Sequence, residues 1–264
     1  MVGTSLDPLN PLDSAVKCVN AHPVFWPETG LFGFACRVLL SRSGDRGPEG
    51  RNRTCPGKGD ANVTVSETHL VMHGLAIKKH ATPEAVAGIV GLDVEDVRAA
   101  LGKLVEAKRV VEARGKYLLA PAARMALDAD YSWVYEGARA NPDFVAGYEA
   151  FERLNGSLKQ LITEWQTIDV RGEVVPNDHS DKAYDDKIID RLGDLHERAE
   201  TALGQLAQAL PRFSIYRAKL SGALEKAEDG AIEWVSDAKI ESYHTLWFEL
   251  HEDLLRLMRR ERQE

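Results

Sequence analysis

The sequence has few cysteines and places all of them near its beginning. Cys18, Cys36 and Cys55 are the only three in 264 residues. They lie too far apart for the paired ligands of a structural zinc site, and a single histidine, His22, lies among them. Free thiols are expected, because disulfides are rare in the cytosol. We predict no bound metal and no cofactor.

Long apolar runs are also missing. No stretch approaches the roughly 18 consecutive apolar residues of a membrane span. The N-terminus has neither the basic region nor the apolar segment of a secretory signal. These absences predict a cytoplasmic protein without a membrane partner. The composition, with 44% apolar and 28% charged residues, is typical of a globular chain rather than a disordered one.

Basic residues are fewer than acidic ones, and the balance between them differs along the chain. The formal net charge of -8 argues against a general affinity for nucleic acid. Residues 67–128 are almost neutral, with nine Lys or Arg against eight Asp or Glu, whereas residues 129–264 have 17 against 27. The second region therefore cannot be a DNA contact.

The first 62 residues lack sustained helical or strand periodicity and contain six of the eleven prolines. One interpretation of residues 1–62 is a disordered arm. The other is mis-assigned upstream translation, with the true start at Val63 or Val65, because GTG encodes valine and is an alternative bacterial start codon. Lys58-Gly59-Asp60 can be encoded by a purine-rich run that would load a ribosome at that distance. A native peptide from residues 1–60 would exclude the second interpretation.

Residues 66–128 contain three helix starts. Ser66, Thr82 and Asp93 each precede a segment with helical periodicity and are predicted N-caps. Gly91 is expected to end the second helix, because glycine readily adopts the left-handed conformation of a helix C-terminus. Three consecutive helices are therefore predicted.

Two short extended runs follow the third helix and flank Arg114-Gly115-Lys116, which predicts the tip of a hairpin. Three helices followed by a small β-hairpin are the element order of a winged helix. Residues 66–128 resemble the MarR-type and related transcription regulators in this order. The fold alone does not decide the function, because winged helices also serve as protein-docking modules.

The third helix argues against sequence-specific reading of DNA. A reading helix presents basic or amide side chains from its N-terminal half, whereas this one begins with Asp93, Glu95 and Asp96. Its outward positions hold no Asn, Gln, Ser or Thr. Basic side chains for contacts with phosphate or with a partner remain in and after this helix, namely Arg98, Lys103, Lys108, Arg109, Arg114 and Lys116.

His69 and His73 lie one turn apart on the first helix, a spacing that can hold a metal ion. A third ligand would be needed. His80 lies beyond the end of this helix, where a favourable interaction with the helix dipole is the expected role. We therefore expect both histidines on the polar face of the helix rather than in a metal site.

The acidic second region shows the periodicity of several helices joined by short breaks, a pattern that favours antiparallel packing. The predicted helical segments are residues 129–136, 142–167, 182–210, 212–228 and 240–260. The chain is thus predicted to be mainly α. A winged helix of three helices plus a small β-hairpin at residues 66–128 is followed by an antiparallel helical bundle at residues 129–264.

The loop VVPNDHSDKAYDD is the densest polar cluster in the sequence. Its candidate site residues are Asn177, Asp178, His179 and Asp181. Histidine beside carboxylates titrates near neutral pH, so this loop could supply acid–base chemistry or a phosphate contact. The favoured interpretation is that Ser180 or Asp181 caps the next helix, since Asn-Asp after Pro is ordinary turn chemistry.

His196 and His251 occur in similar fragments that read acid, Leu, His, Glu. One interpretation is a shared polar site inside the bundle, and the favoured one is a helix surface for each. Tyr243 and His244 lie in an aromatic helix start, which is more often core or partner contact than a cofactor site. A di-iron centre would need two Glu-x-x-His pairs and is excluded, because only Glu241 with His244 fits.

Five segments carry a further resemblance: HGLAIKKHATPEAVAGIVGL, LITEWQTI, VPNDHSD, IIDRLGDLHERAE and YHTLWFELHEDLL. From about residue 66 onward the chain resembles a module of actinobacterial phosphoenolpyruvate-utilising, pyruvate phosphate dikinase-like phosphotransferases. The resemblance implies an accessory chain beside a catalytic partner that carries ATP-grasp and phosphohistidine domains. The sequence has no Gly-rich phosphate loop and no Thr-rich, Gly-rich approach to a phosphorylated histidine, so it should not catalyse phosphoryl transfer alone.

These patterns predict a non-catalytic accessory or regulatory subunit of such a phosphotransferase, with the catalytic protein or a second copy of the chain as its partner. The alternative is a DNA-binding winged-helix transcription regulator in which the bundle dimerises or binds an effector. An enzyme that uses the loop around His179 is the third hypothesis.

Overall fold

The computed structural model describes residues 65–262, and this part of the chain is mainly helical, as predicted. Both interpretations of residues 1–62, together with the three cysteines, lie outside the described residues. No helix within residues 65–262 is long and apolar enough to cross a membrane.

Three helices and a hairpin open the described chain. Ser66, Thr82 and Asp93 each accept a hydrogen bond from a main-chain amide two or three residues later, so all three act as the predicted N-caps. Gly91 ends the second helix with a left-handed φ of 76°. The elements are α1 (Glu67–Lys78), α2 (Pro83–Val90), α3 (Val94–Glu106), β1 (Val110–Ala113) and β2 (Lys116–Leu119).

Strands β1 and β2 pair in antiparallel fashion around the predicted tip. Arg114 and Gly115 both have positive φ, 54° and 74°, as the tight turn of a two-residue hairpin requires. The hairpin is attached to the segment between α1 and α2, because the main chains of Ala81 and Tyr117 exchange two hydrogen bonds of 3.0 and 2.8 Å.

Helices dominate the rest of the described chain. A short 3-10 turn at Pro211–Phe213 precedes α8. The elements are α4 (Pro121–Val134), α5 (Glu136–Ala140), α6 (Pro142–Gln166), β3 (Thr167–Val170), β4 (Glu173–Pro176), α7 (Lys182–Ala209), α8 (Ser214–Glu228), α9 (Glu233–Ser236) and α10 (Tyr243–Met258).

Two details differ from the sequence analysis. The helix expected to begin at residue 129 begins at Pro121, so a domain boundary between residues 128 and 129 would fall inside α4. The break between the predicted helical segments 142–167 and 182–210 contains a second antiparallel hairpin, β3–β4, with its turn at Arg171-Gly172. Its strands are rich in β-branched residues, which fit an extended, partly exposed conformation.

Neighbouring long helices run antiparallel. Tyr184, at the start of α7, donates its hydroxyl to the carbonyl of Glu164, at the end of α6, over 2.8 Å. Gly147, near the start of α6, faces Leu206, near the end of α7. Helices α7 and α8 are also antiparallel, since His196 meets Ser221 while the later Glu200 meets the earlier Arg217.

One hydrophobic core runs through both regions. Leu75, Leu101, Leu127, Leu192 and Leu250 come from five different helices, and all five are completely buried in the same cluster. The first three helices therefore pack onto the later ones instead of forming a core apart from them.

Candidate functional site

The six basic residues predicted to contact DNA or a partner are all exposed, and we call the surface that they define the α3–hairpin surface. Lys108 and Arg114 have positive φ in the turns that begin and reverse the hairpin. These backbone turns present the side chains to solvent at both ends of β1. The six residues are Arg98, Lys103, Lys108, Arg109, Arg114 and Lys116.

The N-terminal half of α3 is negative. Asp93 accepts the amide of Glu95 as N-cap, and Glu95 and Asp96 stand exposed in the first turn. Arg98 is the basic residue nearest to them, and its guanidinium is bound to Glu84 of α2, with Glu95 at 3.4 Å. The part of α3 that would enter a DNA groove is therefore acidic, and its one cation is already neutralised.

The hairpin adds an apolar pair to this surface. Val111 and Leu118 lie directly opposite each other across β1 and β2, and they are 49% and 36% exposed. Lys116 and Arg109 are close in sequence to this pair. The α3–hairpin surface thus combines apolar contact area with cations, a composition that suits a protein partner as well as a polyanion.

A buried polar network connects five parts of the fold. His73 of α1 places Nε2 3.0 Å from Oδ1 of Asp253 in α10 and Nδ1 2.6 Å from the hydroxyl of Tyr131 in α4. Arg212, in the 3-10 turn, donates to both oxygens of Asp253. Tyr216 of α8 donates its hydroxyl to Asp253 over 3.2 Å. We call these five residues the buried network.

The protonation states in this network follow from burial and charge. Burial disfavours the charge of Asp253, but Arg212 and His73 hold the pKa of this carboxyl well below its usual range. Burial lowers the pKa of His73, so its imidazole is neutral, with Nε2–H donating to Asp253 and Nδ1 accepting from Tyr131. The network contains one balanced ion pair and no group poised to exchange a proton near neutral pH, which is a structural arrangement rather than an acid–base site.

The expectation that His69 and His73 lie on a polar helix face is wrong. His73 is completely buried and His69 is 6% exposed. Nearly every residue of α1 from His69 to Ile77 is buried, so this helix has no polar face in its centre. Sequence patterns do not single out Asp253, although it lies one residue before Leu254 and three after Leu250, on a fully buried helix face.

The loop before α7 forms a compact polar cluster at the end of α6. The side-chain amide of Asn177 donates to the carbonyl of Trp165 and to Oδ1 of Asp185, both over 3.0 Å. His179 places Nδ1 3.0 Å from Oδ2 of Asp185, and its ring lies 4.5 Å from that of Trp165. Asp181 caps α7 by accepting the amide of Tyr184, as favoured by the sequence.

The remaining loop residue, Asp178, is exposed and accepts the amide of Ser180. The cluster borders an open cleft of about 660 Å³ that His179 and Asp185 line together. The contacts of Asn177 and Asp185 fasten the loop to α6, and only part of the His179 ring remains accessible from the cleft.

His196 and His251 lie at opposite ends of an aromatic row. His196 meets the hydroxyl of Tyr243 at 3.1 Å, and His251 meets Glu152 at 2.8 Å. Between them, Tyr243 stacks on Trp247, Trp247 stacks on Phe151, and Phe151 contacts His251; the successive ring centroids are 6.0, 4.5 and 5.6 Å apart.

The two histidines share no hydrogen-bond partner among residues 65–262, so the structure does not join them into one polar site. The favoured interpretation of a helix surface is also wrong, because both side chains are buried. His244 is half-buried next to Tyr243, and burial lowers its pKa.

Within residues 65–262, no group of three or more His, Cys, Asp or Glu side chains is arranged to hold a metal ion. Comparisons of the chain with protein-family models, curated proteins and solved structures found no match.

Proposed function

We propose that the chain is a non-catalytic accessory or regulatory subunit of a phosphoenolpyruvate-utilising, pyruvate phosphate dikinase-like phosphotransferase. In this proposal residues 66–128 are a winged helix that docks onto the catalytic partner together with an antiparallel bundle formed by residues 129–264. The resemblance of the five sequence segments supports the choice of partner. The order of three helices and a hairpin supports the winged helix.

The observation that carries docking onto protein rather than DNA is the charge of α3. Asp93 at the N-cap and Glu95 and Asp96 in the first turn occupy the end where a reading helix would approach phosphates, and like charges repel. Arg98, which would be the first cation to reach the groove, is bound to Glu84. A protein surface with basic or apolar groups matches this helix better than a DNA groove does.

The apolar pair on the hairpin would be buried against the partner, so its substitution tests this docking surface. Val111 and Leu118 are exposed side by side, and burying such side chains is worth about 25 cal/mol per Å² of apolar area removed from water. A charge placed there would have to be desolvated in the complex.

Size-exclusion chromatography with a dikinase-like phosphotransferase from the same organism tests the proposal, followed by phosphotransferase assays with and without this chain. The wild-type chain should co-elute and change the rate. Val111→Glu with Leu118→Glu should abolish co-elution. The matched control Val174→Glu, at a 70% exposed valine of the other hairpin, should not. A wild-type chain that neither co-elutes nor alters the rate would contradict the proposal.

A second function, DNA binding as a transcription regulator, is favoured by one observation. Lys103, Lys108, Arg114 and Lys116 are exposed around the hairpin, and they form no ion pair with other residues of the described chain. Salt-sensitive binding to the promoter of its own gene would support this function. Arg114→Ala with Lys116→Ala should then weaken binding to all DNA sequences. The slope of log affinity against log salt concentration should become shallower by about one for each phosphate that is no longer neutralised.

A further inference from the structure

A small pocket lies between α1, α4 and the beginning of the first hairpin. It encloses about 200 Å³. A cavity of about 150 Å³ is enough for one benzene ring, so this pocket has room for a compact small molecule. It shares Val65, Trp133 and Val134 with a neighbouring pocket of about 470 Å³, which gives a ligand room to extend along α4.

The apolar part of the pocket favours a ligand with an aromatic or aliphatic body. Met72 and Val134 are buried and supply its apolar lining. Trp133 also lines it, although its side chain is 56% exposed. An indole accessible to this extent offers a flat surface on which a ring or an apolar chain can pack.

Two side chains of opposite charge line the same pocket. Arg109, which leads into β1, and Asp130, on α4, both line it. Neither forms an ion pair with a side chain of residues 65–262, whereas Asp128, two residues before Asp130, pairs with Arg256. A carboxylate suits the guanidinium of Arg109, and an ammonium group suits the carboxylate of Asp130.

A buried histidine forms part of the pocket wall. His69 lines the pocket and is 6% exposed, and its Nε2 has no hydrogen-bond partner among the described residues. This nitrogen is shielded from solvent, so the ring borders the pocket through its other atoms and adds an uncharged part of the wall. The imidazole is neutral near pH 7, because burial and the nearby His73 lower its pKa to about 4.

We propose that this pocket binds a free α-amino acid with an aromatic or branched aliphatic side chain. The carboxylate of the ligand contacts Arg109, the ammonium group contacts Asp130, and the side chain packs on Trp133. A zwitterion can contact both protein charges at once, whereas a ligand with only one charge can contact just one of them. The proposal does not depend on the proposed function, because binding is measured on the chain alone.

The test is isothermal titration of the full-length chain with free phenylalanine, tryptophan and leucine. Two matched analogues of each are titrated in parallel, the amide, which lacks the carboxylate, and the deaminated acid, which lacks the ammonium group. At least one free amino acid should bind, and both of its analogues should bind about tenfold more weakly or worse, because each loses a charge-assisted contact. A panel with no binding below 10 mM would overturn the proposal, as would an analogue that binds as tightly as its amino acid.

Variants assign the binding to this pocket. Arg109→Gln should weaken binding of the amino acid about tenfold but leave binding of the amide, which lacks the carboxylate, unchanged. Asp130→Asn should likewise weaken binding of the amino acid about tenfold but leave binding of the deaminated acid, which lacks the ammonium group, unchanged. The controls are Arg124→Gln, at an exposed position of α4 outside the pocket, and Asp194→Asn, at an exposed position of α7. Equal effects of pocket and control variants would place the binding elsewhere and contradict the proposal.

Discussion

Two histidine–aspartate pairs differ in the exposure of their histidines. His73 and Asp253 have no exposed side-chain area, whereas the side chains of His179 and Asp185 are 29% and 5% exposed. The buried pair has a cation, Arg212, bound to its carboxylate, and the loop pair has a neutral amide, Asn177, in the corresponding position. Asp253, the carboxylate with no accessible surface, is therefore the one that is paired with a charged group, the guanidinium of Arg212.

The difference shows which polar groups hold the described chain together. A buried charge is tolerated only with a well-placed partner, so loss of one member leaves the other stranded. A partly exposed cluster can replace a lost partner with water and therefore costs less to break. The buried network connects α1 with α10, and the loop cluster fastens one loop to one helix end. We infer that residues 65–262 unfold as one unit through the buried network.

The largest effect is expected for Asp253→Asn. The substitution leaves the Arg212 guanidinium buried beside a neutral amide, so the free energy of unfolding should fall by about 3–5 kcal/mol. Urea denaturation followed by circular dichroism measures this change. Asp185→Asn is the matched control in the loop cluster and should cost about 1–2 kcal/mol. Equal losses for both variants would erase the distinction between the two pairs.

The next largest effect is a decrease in the free energy of unfolding in mild acid, caused by His69, which lies one turn from His73 on α1. Burial and the nearby His73 lower the pKa of His69 from 6.5 to about 4. Between these two pH values His69 is therefore protonated in the unfolded chain but neutral in the folded one. This stabilising contribution is fully present above pH 6.5 and is lost as the pH falls towards 4. The slope for one such group is about 1.4 kcal/mol per pH unit.

His69→Gln removes this titration. Between pH 6.5 and 4, its free energy of unfolding should decline less steeply than that of the wild type, by up to about 1.4 kcal/mol per pH unit. Urea unfolding at half-unit pH steps provides the comparison. Parallel pH profiles for the two proteins would show that His69 is not kept neutral by the fold.

A smaller effect is expected at Gly74, next to His73 on α1. A Cβ there would lie 2.9 Å from Cγ1 of Val86 and 3.0 Å from Cγ1 of Val90. Gly74→Ala should therefore destabilise the protein by about 1–3 kcal/mol, despite the better helix propensity of alanine. Gly222→Ala in α8 meets nothing within 4 Å and should stabilise it by about 0.5–1 kcal/mol. Thermal unfolding of both variants measures the contrast, and a shift in the same direction for both would contradict it.

The smallest effect is expected for His179→Ala in the loop cluster. Asn177 would still donate to Trp165 and Asp185, so the loss should be about 1 kcal/mol or less. His80→Ala, at an exposed position, is the control and should change stability by less than about 0.5 kcal/mol. A loss above about 3 kcal/mol for His179→Ala would make the loop cluster as important as the buried network.

Local interactions explain what could be predicted from the sequence. The caps Ser66, Thr82 and Asp93 act on amides two or three residues away, so their roles follow from the neighbouring sequence. The same holds for Asp181 at the start of α7. The turn at Arg114-Gly115 was predicted for the same reason, since positive φ at its second residue suits glycine.

Contacts over long sequence separations explain what could not be predicted. His73 and Asp253 are 180 residues apart, and helical periodicity predicts one apolar face on α1 but not the burial of the face that carries the histidines. The ion pair of Arg98 with Glu84 spans two helices, so the sequence predicted an exposed cation but not its partner. The polar cluster at residues 177–185 was found because its members are adjacent in the chain.

Native-state hydrogen exchange tests most directly whether the described chain unfolds as one unit through the buried network. The amides of Leu75 in α1, Leu101 in α3 and Leu250 in α10 should exchange with the same free energy of opening, equal to that of global unfolding. Asp253→Asn should lower all three values together. If the amides of α1 and α3 opened at a free energy about 2 kcal/mol or more below that of α10, residues 66–128 would unfold independently and the account would be contradicted.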